Sequence, residues 1–261
     1  MTPEMPLLVF TDLDGTLLSH GDYRWNAAQP ALKRLADMGA GVVLASSKTA
    51  PEIAVLRHEM GLQGWPAIVE NGAGVLEPHA EAVVKRSEYA QLRAEVIKIR
   101  ANTGAAFRGF GDMQAAEVSA LTGLPEPDAR RAQQRAFSEP GVWSGPDAAK
   151  AAFIAALLTQ GVHAREGGRF LTLSFGRTKA DQMAQIIAHL APRHTIALGD
   201  APNDVEMLQA ADCGVIIANP HRAPLPELEG EASGRITRSK DAGPQGWNTA
   251  ILSHLARLNL E

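Results

Sequence analysis

One cysteine, Cys213, stands in the 261-residue chain, so an internal disulfide is excluded and the single thiol points to a reducing compartment. Its neighbours Gly214-Val215-Ile216-Ile217 read as a buried strand, which makes packing its expected role. No apolar run approaches the roughly 18 residues that span a bilayer. Positive charge is in deficit: 25 Lys and Arg face 29 Asp and Glu, so the total implies no nucleic-acid-binding face. The eight histidines show no metal-ligand spacing. No phosphate loop of the G-x-x-x-x-G-K type occurs, and GFGDMQ (Gly109 to Gln114) lacks the third glycine of a dinucleotide fingerprint. MTPEMPLLVF at the amino terminus carries an acid and no basic segment, unlike a signal peptide. These absences leave a cytoplasmic protein with neither membrane nor nucleic-acid partners as the expectation. A composition of 45% hydrophobic and 21% charged residues is ordinary for a globular chain.

What is present alternates. Leu7 to Phe10 form a short apolar run. NAAQPALKRLADMG follows as a helix with Leu32, Leu35 and Met38 on one face, Asn26 as its N-cap and Gly39 as its stop. GVVLASS reads as a second strand. TAPEIAVLRHEMG reads as a second helix with Thr49 and Glu52 as a capping box, and PAIVENGAGVL as a third strand and turn. This order predicts a parallel sheet covered on both faces. From about residue 84 to 171 the helices lengthen, and short strands AFRGF, GVWSG and the hairpin VHARE/RFLTLSF around Gly167-Gly168 appear. The alternation then returns with KADQMAQIIAHL, TIALGD, DVEMLQAA, CGVIIA and the closing helix GWNTAILSHLARL. The expected architecture is α/β: a doubly wound parallel-sheet (Rossmann-like) core, residues 1–83 and 172–261, with an inserted α+β cap domain, residues 84–171.

Carboxyl ends of strands line the ligand crevice of such sheets. Four polar clusters fall there: Asp12/Asp14, Ser46/Ser47/Lys48, Glu70/Asn71 and Asp200/Asn203/Asp204, while Lys179 opens a helix. Each alone is explained by turns or caps; their convergence points to a site. Asp12, Asp14 and Asp200 together make an oxygen-rich cluster suited to Mg²⁺.

DLDGT after an apolar strand, a serine ending the second strand, a lysine after the insert and GDAPND resemble the haloacid-dehalogenase-like hydrolases. TDLDGTLLSH, ASSKT, VENGAG, GFGDM, LTGLP, GGRF and GPQGWN further resemble the mannosyl-3-phosphoglycerate phosphatase family, as does Ser46-Ser47-Lys48 where sugar-phosphate relatives have T-G-R. The resemblance implies that Asp12 attacks phosphorus, Asp14 acts as acid and base, Ser46 donates to a phosphoryl oxygen and Lys179 neutralises charge. Mg²⁺ would be held at Asp12, Asp14 (through its backbone carbonyl), Asp200 and, directly or through water, Asp204. Asn203 would act nearby. Ser47, Lys48, Asn71, Arg135, Arg169 and Asn203 are the candidate substrate contacts, with arginine suited to the carboxylate of a phosphorylated glycerate. The expected partner is thus a small phosphorylated sugar or glycerate. A phosphomutase shares the aspartyl phosphate. A receiver domain lacks an acid placed like Asp14, and a degenerate metabolite-binding paralogue should lose one of Asp12, Asp14, Lys179 or Asp200.

Overall fold

The structure, a computed structural model, describes residues 5–83, 86–167 and 169–260. In chain order the first elements are β1 (Leu8–Thr11), α1 (Gln29–Asp37), β2 (Gly41–Leu44), α2 (Ala50–Glu59), β3 (Ala67–Val69) and β4 (Gly74–Leu76). Next come α3 (Ser87–Thr103), β5 (Phe107–Gly109), α4 (Ala115–Thr122), α5 (Glu126–Ala132), β6 (Ser138–Trp143), α6 (Asp147–Leu158), β7 (His163–Gly167) and β8 (Phe170–Ser174). The last are α7 (Lys179–Leu190), β9 (Thr195–Gly199), α8 (Val205–Ala210), β10 (Cys213–Ala218), β11 (Ile236–Ala242) and α9 (Gly243–Arg257).

The core sheet is parallel, ordered β11-β10-β9-β1-β2. Its strands are apolar on both faces because helices cover both. Leu7, Val9, Val42, Leu44, Ile196 and Leu198 pack with Leu35, Ile53 and Ile251 on one side. The alternate residues Leu8, Phe10, Val43 and Ala197 pack with Met183, Ile186, Met207 and Leu208 on the other. This is the doubly wound core expected from the alternation. A separate antiparallel sheet, β5-β6-β8-β7, forms the cap, with Leu92, Val96, Phe107, Phe153 and Leu171 as its own apolar core.

Three details differ from expectation, and one strand, β11, has no counterpart in it. The third strand does not join the core sheet in full: β3 pairs antiparallel with β4 and touches the end of β2 through one parallel bridge, Ala45 to Ile68. Asn26 does not cap α1; it opens a 3₁₀ turn, Asn26–Ala28, and Pro30 occupies the first turn of the helix instead. The edge strand β11 carries polar side chains outward, so ITRSKDA shows only Ile236 as a fully buried position. The expected cap boundary at residue 171 falls inside β8, whose pairing with β6 and β7 runs to Ser174. The other boundary at Val84, and Gly168 of the hairpin, lie outside the described residues.

The Thr49–Glu52 capping box, the left-handed turns at Gly39 and Gly123, and the β7–β8 hairpin all form. His58 faces solvent, and Cys213 is half-buried. Trp143 stacks near Phe153 at 5.6 Å between ring centres, and Trp247 is fully buried in the core. Among the described residues no helix is long and apolar enough to cross a membrane.

Candidate active site

β1 delivers Asp12 to the mouth of the sheet, where its backbone N–H donates to Leu198 O at 2.9 Å. The chain then turns: Thr16 and Leu18 N–H groups both donate to Leu13 O. Gly15 takes φ +89° in this turn, and a Cβ there would lie 2.6 Å from Asn219 Nδ2. Glycine is needed both for that backbone angle and for the close approach to the loop after β10. β9 ends beside β1 and delivers Asp200. The 3₁₀ turn Pro202–Asp204 folds Asp204 back, so that its Oδ2 accepts from Asp200 N (3.1 Å) and Ala201 N (3.0 Å).

Asp12, Asp200 and Asp204 are 7%, 3% and 0% exposed, and one carboxylate oxygen from each lies within 4.8 Å of the others. A buried lysine sits among them. Lys179 opens α7, whose N-cap Thr178 and Asp181 form a capping box. Its Nζ donates to Asp12 Oδ1 at 2.6 Å and Asp204 Oδ1 at 2.7 Å. Burial opposes the ammonium charge, but the two aspartates outweigh it and hold Lys179 above its ordinary range. Burial pushes Asp12 up to about 8, with Asp204 and Asp14 adding to the rise and Lys179 opposing it. Burial also raises Asp200, against hydrogen bonds from Asn219 Nδ2 (2.8 Å) and Thr16 Oγ1 (2.9 Å) and the charge of Arg222, whose Nε is 3.4 Å away.

Three carboxyl groups crowd one lysine, with Arg222 beside Asp200 alone, and every donor is a carboxylate oxygen. Both features fit a hard divalent cation such as Mg²⁺. The four expected ligands are not equivalent, however. Both oxygens of Asp204 accept protein hydrogen bonds, as do both oxygens of Asp200, and Asp204 in addition holds Lys179 and the loop. Asp14 turns outward: Oδ2 accepts from Lys48 Nζ at 2.8 Å, while Oδ1 is buried with no hydrogen-bond partner. An orphan carboxylate oxygen two residues from Asp12 is positioned to take or give a proton.

The other candidates divide into those at this mouth and those elsewhere. Ser46, 1% exposed, follows β2 directly beside Asp12, since Ala45 N donates to Thr11 O at 2.8 Å. Lys48 lies between Asp14 and the Tyr23 ring, 5.4 Å from its centre. Burial opposes its charge, yet Asp14 raises it overall. Ser47 is exposed, and Asn71 Oδ1 accepts from Asn203 Nδ2 at 3.1 Å across the mouth. Arg135 departs from the expectation of an anion contact. It is 5% exposed and donates to Ser138 Oγ (2.9 Å) and Ser47 O (3.3 Å), with Nε 3.4 Å from Glu70; these partners leave it turned into the protein. Arg169 is exposed on the β7–β8 hairpin, its Nη2 3.4 Å from Thr122 O and its guanidinium over the Phe170 ring. GFGDM, LTGLP and the hairpin meet in one apolar cluster, Phe110, Met113, Leu121 and Phe170 among it. The neighbouring α5 reaches the core, where Thr49 Oγ1 donates to Arg131 O at 3.0 Å.

Sequence reasoning missed the groups that hold the acids. Asn219 follows the buried run Val215-Ile216-Ile217, so the rule that found Asp12 would have found it. Thr16 stood inside the quoted motif without a role. No sequence signal marked Trp247 Nε1 donating to Thr11 Oγ1 (3.0 Å), which in turn donates to Asp12 O (2.8 Å).

Residues 9–112 and 172–225, more than half the chain, match the family of haloacid dehalogenase-like hydrolases. The chain belongs to that family. Its fold resembles the sucrose-phosphatase of Synechocystis solved with sucrose and phosphate: 18% identity, 98% of each chain covered, TM-score 0.63. It also resembles BT1666 of Bacteroides thetaiotaomicron, described among the phosphatases of the HAD enzyme superfamily: 16% identity, 100% of this chain and 97% of that one, TM-score 0.66. A Thermoplasma acidophilum protein gives TM-score 0.67 at 16% identity over 98% of this chain and all of its own.

Proposed function

We propose that this chain is an Mg²⁺-dependent phosphatase that hydrolyses mannosyl-3-phosphoglycerate to mannosylglycerate and phosphate through an aspartyl phosphate. The observation that carries the chemistry is Asp12, gripped through one oxygen by Lys179, with the orphan Asp14 carboxylate oxygen two residues away. Lys179 leaves the other Asp12 oxygen to attack phosphorus. As that O–P bond forms, the ester O–P bond breaks and the leaving oxygen takes a proton from Asp14. Asp14 then removes a proton from water, whose oxygen attacks the phosphorus; the Asp12–phosphorus bond breaks and phosphate leaves. Ser46 donates to a phosphoryl oxygen, and Lys179, oriented by Asp204, neutralises charge as it builds. Asp12, Asp200 and the Asp14 carbonyl would hold Mg²⁺. The cation supplies charge that offsets the repulsion between an anionic nucleophile and an anionic ester.

The sugar part rests on the cap and on the Ser46-Ser47-Lys48 run in place of T-G-R. Arg169 and Lys48 supply charge for the glycerate carboxylate. The direct test is phosphate release by purified protein with Mg²⁺ from mannosyl-3-phosphoglycerate, its glucosyl counterpart, simple sugar phosphates and an aryl phosphate. Highest kcat/KM for the mannosyl compound supports the reading; a better sugar phosphate transfers it to that substrate. Asp12→Asn should abolish all of these activities, and full activity in that variant would remove Asp12 as nucleophile.

A further inference from the structure

Glu70 is a buried acid outside the catalytic cluster, 2% exposed, at the carboxyl end of β3. Its carboxylate belongs to the core, but its partners belong to the segment leading into β6 of the cap. Oε1 accepts from Ala136 N at 2.7 Å. Oε2 accepts from Phe137 N at 3.2 Å and from both Ser138 N and Ser138 Oγ at 2.7 Å. Three successive backbone N–H groups converging on one anion form an anion-binding nest, here filled by a side chain of the other domain. A second key lies beside it: the Phe137 ring rests on Gly74, where any Cβ would collide with it. Arg135, next to the nest, donates through both terminal nitrogens to Ser47 O.

The backbone of the same segment faces the catalytic groups. Glu70 N donates to Lys48 O (3.0 Å) and Asn71 N to Ser46 O (2.8 Å). Gln182 Nε2 of α7 donates to Gly72 O at 3.0 Å, and a Cβ on Gly72 would collide with the Thr178–Lys179 backbone. Glu70, Asn71 and Gly72 take φ of 52°, 58° and 93°, left-handed throughout, a conformation that persists only where the surroundings enforce it. The backbone of this segment therefore braces Ser46 and Lys179, while its one buried carboxylate grips the cap.

We propose that Glu70 is a positioning residue: its carboxylate, seated in the 136–138 nest, sets where the cap stands over the phosphoryl site and so governs recognition of the organic part of the substrate. This rests on the phosphatase reading. The division of labour separates substrates. A small aryl phosphate needs only the core cluster, whereas a glycosyl phosphoglycerate needs the cap in register.

The test compares wild type with Glu70→Gln, which keeps the shape but turns an NH₂ group toward backbone donors, using mannosyl-3-phosphoglycerate and p-nitrophenyl phosphate. KM for the large ester should rise about tenfold or more, as misplacement remote from the chemistry does, while kcat/KM for the aryl ester holds within about twofold. Ser138→Ala removes one donor of the nest and should shift the large-ester KM in the same direction by a smaller factor; it carries the test if Glu70→Gln fails to fold. Small-angle X-ray scattering should give a larger radius of gyration for Glu70→Gln than for wild type. Equal losses on both esters would show a purely structural residue and overturn the proposal, as would unchanged kinetics in both variants. If wild type hydrolyses neither ester, the phosphatase reading fails and scattering alone decides: a superimposable profile overturns the proposal, a more extended one supports the pin.

Discussion

Replacing Asp12 by asparagine should strengthen the fold while it removes the proposed nucleophile. Asp12 is buried beside Asp204 and Asp14 with one lysine to offset them, and its carboxyl is pushed up to about 8 from an ordinary 3.8. Between about pH 4 and pH 8 the folded protein therefore keeps a proton on Asp12 that the unfolded chain has lost. The folded state binds more protons in this window, so the contribution of Asp12 to stability falls as pH rises, by at most about 1.4 kcal/mol per unit. The substituted amide has no proton to lose, and its oxygen can still accept from Lys179, which keeps Asp204 at 2.7 Å. With chelator present, the stability of the variant relative to wild type should improve by about 2–4 kcal/mol between pH 5 and pH 8. That is a relative Tm gain of about 4–16 °C for a chain of this size. Magnesium should compress the difference. Bound at the acid cluster, it should stabilise wild type by about 2.7 kcal/mol at a hundredfold excess over Kd, and a variant lacking a carboxylate ligand by less. Thermal unfolding of both proteins at pH 5, 6, 7 and 8, with EDTA and with Mg²⁺, measures this. Parallel pH curves in EDTA would refute the account of a carboxyl raised by burial beside other acids, and equal stabilisation by Mg²⁺ would remove Asp12 from the cation site.

Two further outcomes follow from the same contacts. Thr16→Val removes the hydroxyl that donates to Asp200 Oδ1 without changing the size of the side chain; Mg²⁺ affinity by calorimetry should fall about 10–100-fold, as for other groups that orient a ligand. Arg169→Ala should raise KM for a phosphoglycerate ester about 10–100-fold, roughly the strength of a charge-assisted hydrogen bond, and leave the aryl phosphate KM unchanged; equal effects on both would place Arg169 outside the substrate site.

The acid cluster and Ser46 beside it were legible because a parallel sheet gives chain position a spatial meaning. Its strands run one way, so Asp12, Ser46 and Asp200, far apart in sequence, must emerge at one edge. The doubly wound core was legible for a related reason: strands covered on both faces are apolar without alternation. Polar edge strands carry no such signature, which is why β11 escaped notice. The groups that tune the acids were illegible because they act through contacts between distant loops, such as Asn219 with Asp200 and Trp247 with Thr11.

Glu70 shows where strand-end reasoning stops discriminating. By position it is equivalent to Asp12, an acid at the carboxyl end of a strand, and both are buried. What separates them is the nature of their partners. Asp12 meets one lysine and other carboxylates that crowd it, a repulsion that a cation can relieve. Glu70 meets four donors from the cap segment and is already satisfied, so nothing remains for it to do to a substrate directly. A full complement of donors drawn from the cap segment marks Glu70 as mechanical. Arg135 obeys the same criterion: its terminal nitrogens are spent on Ser47 O and Ser138 Oγ, which places it with the joint, whereas Arg169 stands exposed on its hairpin.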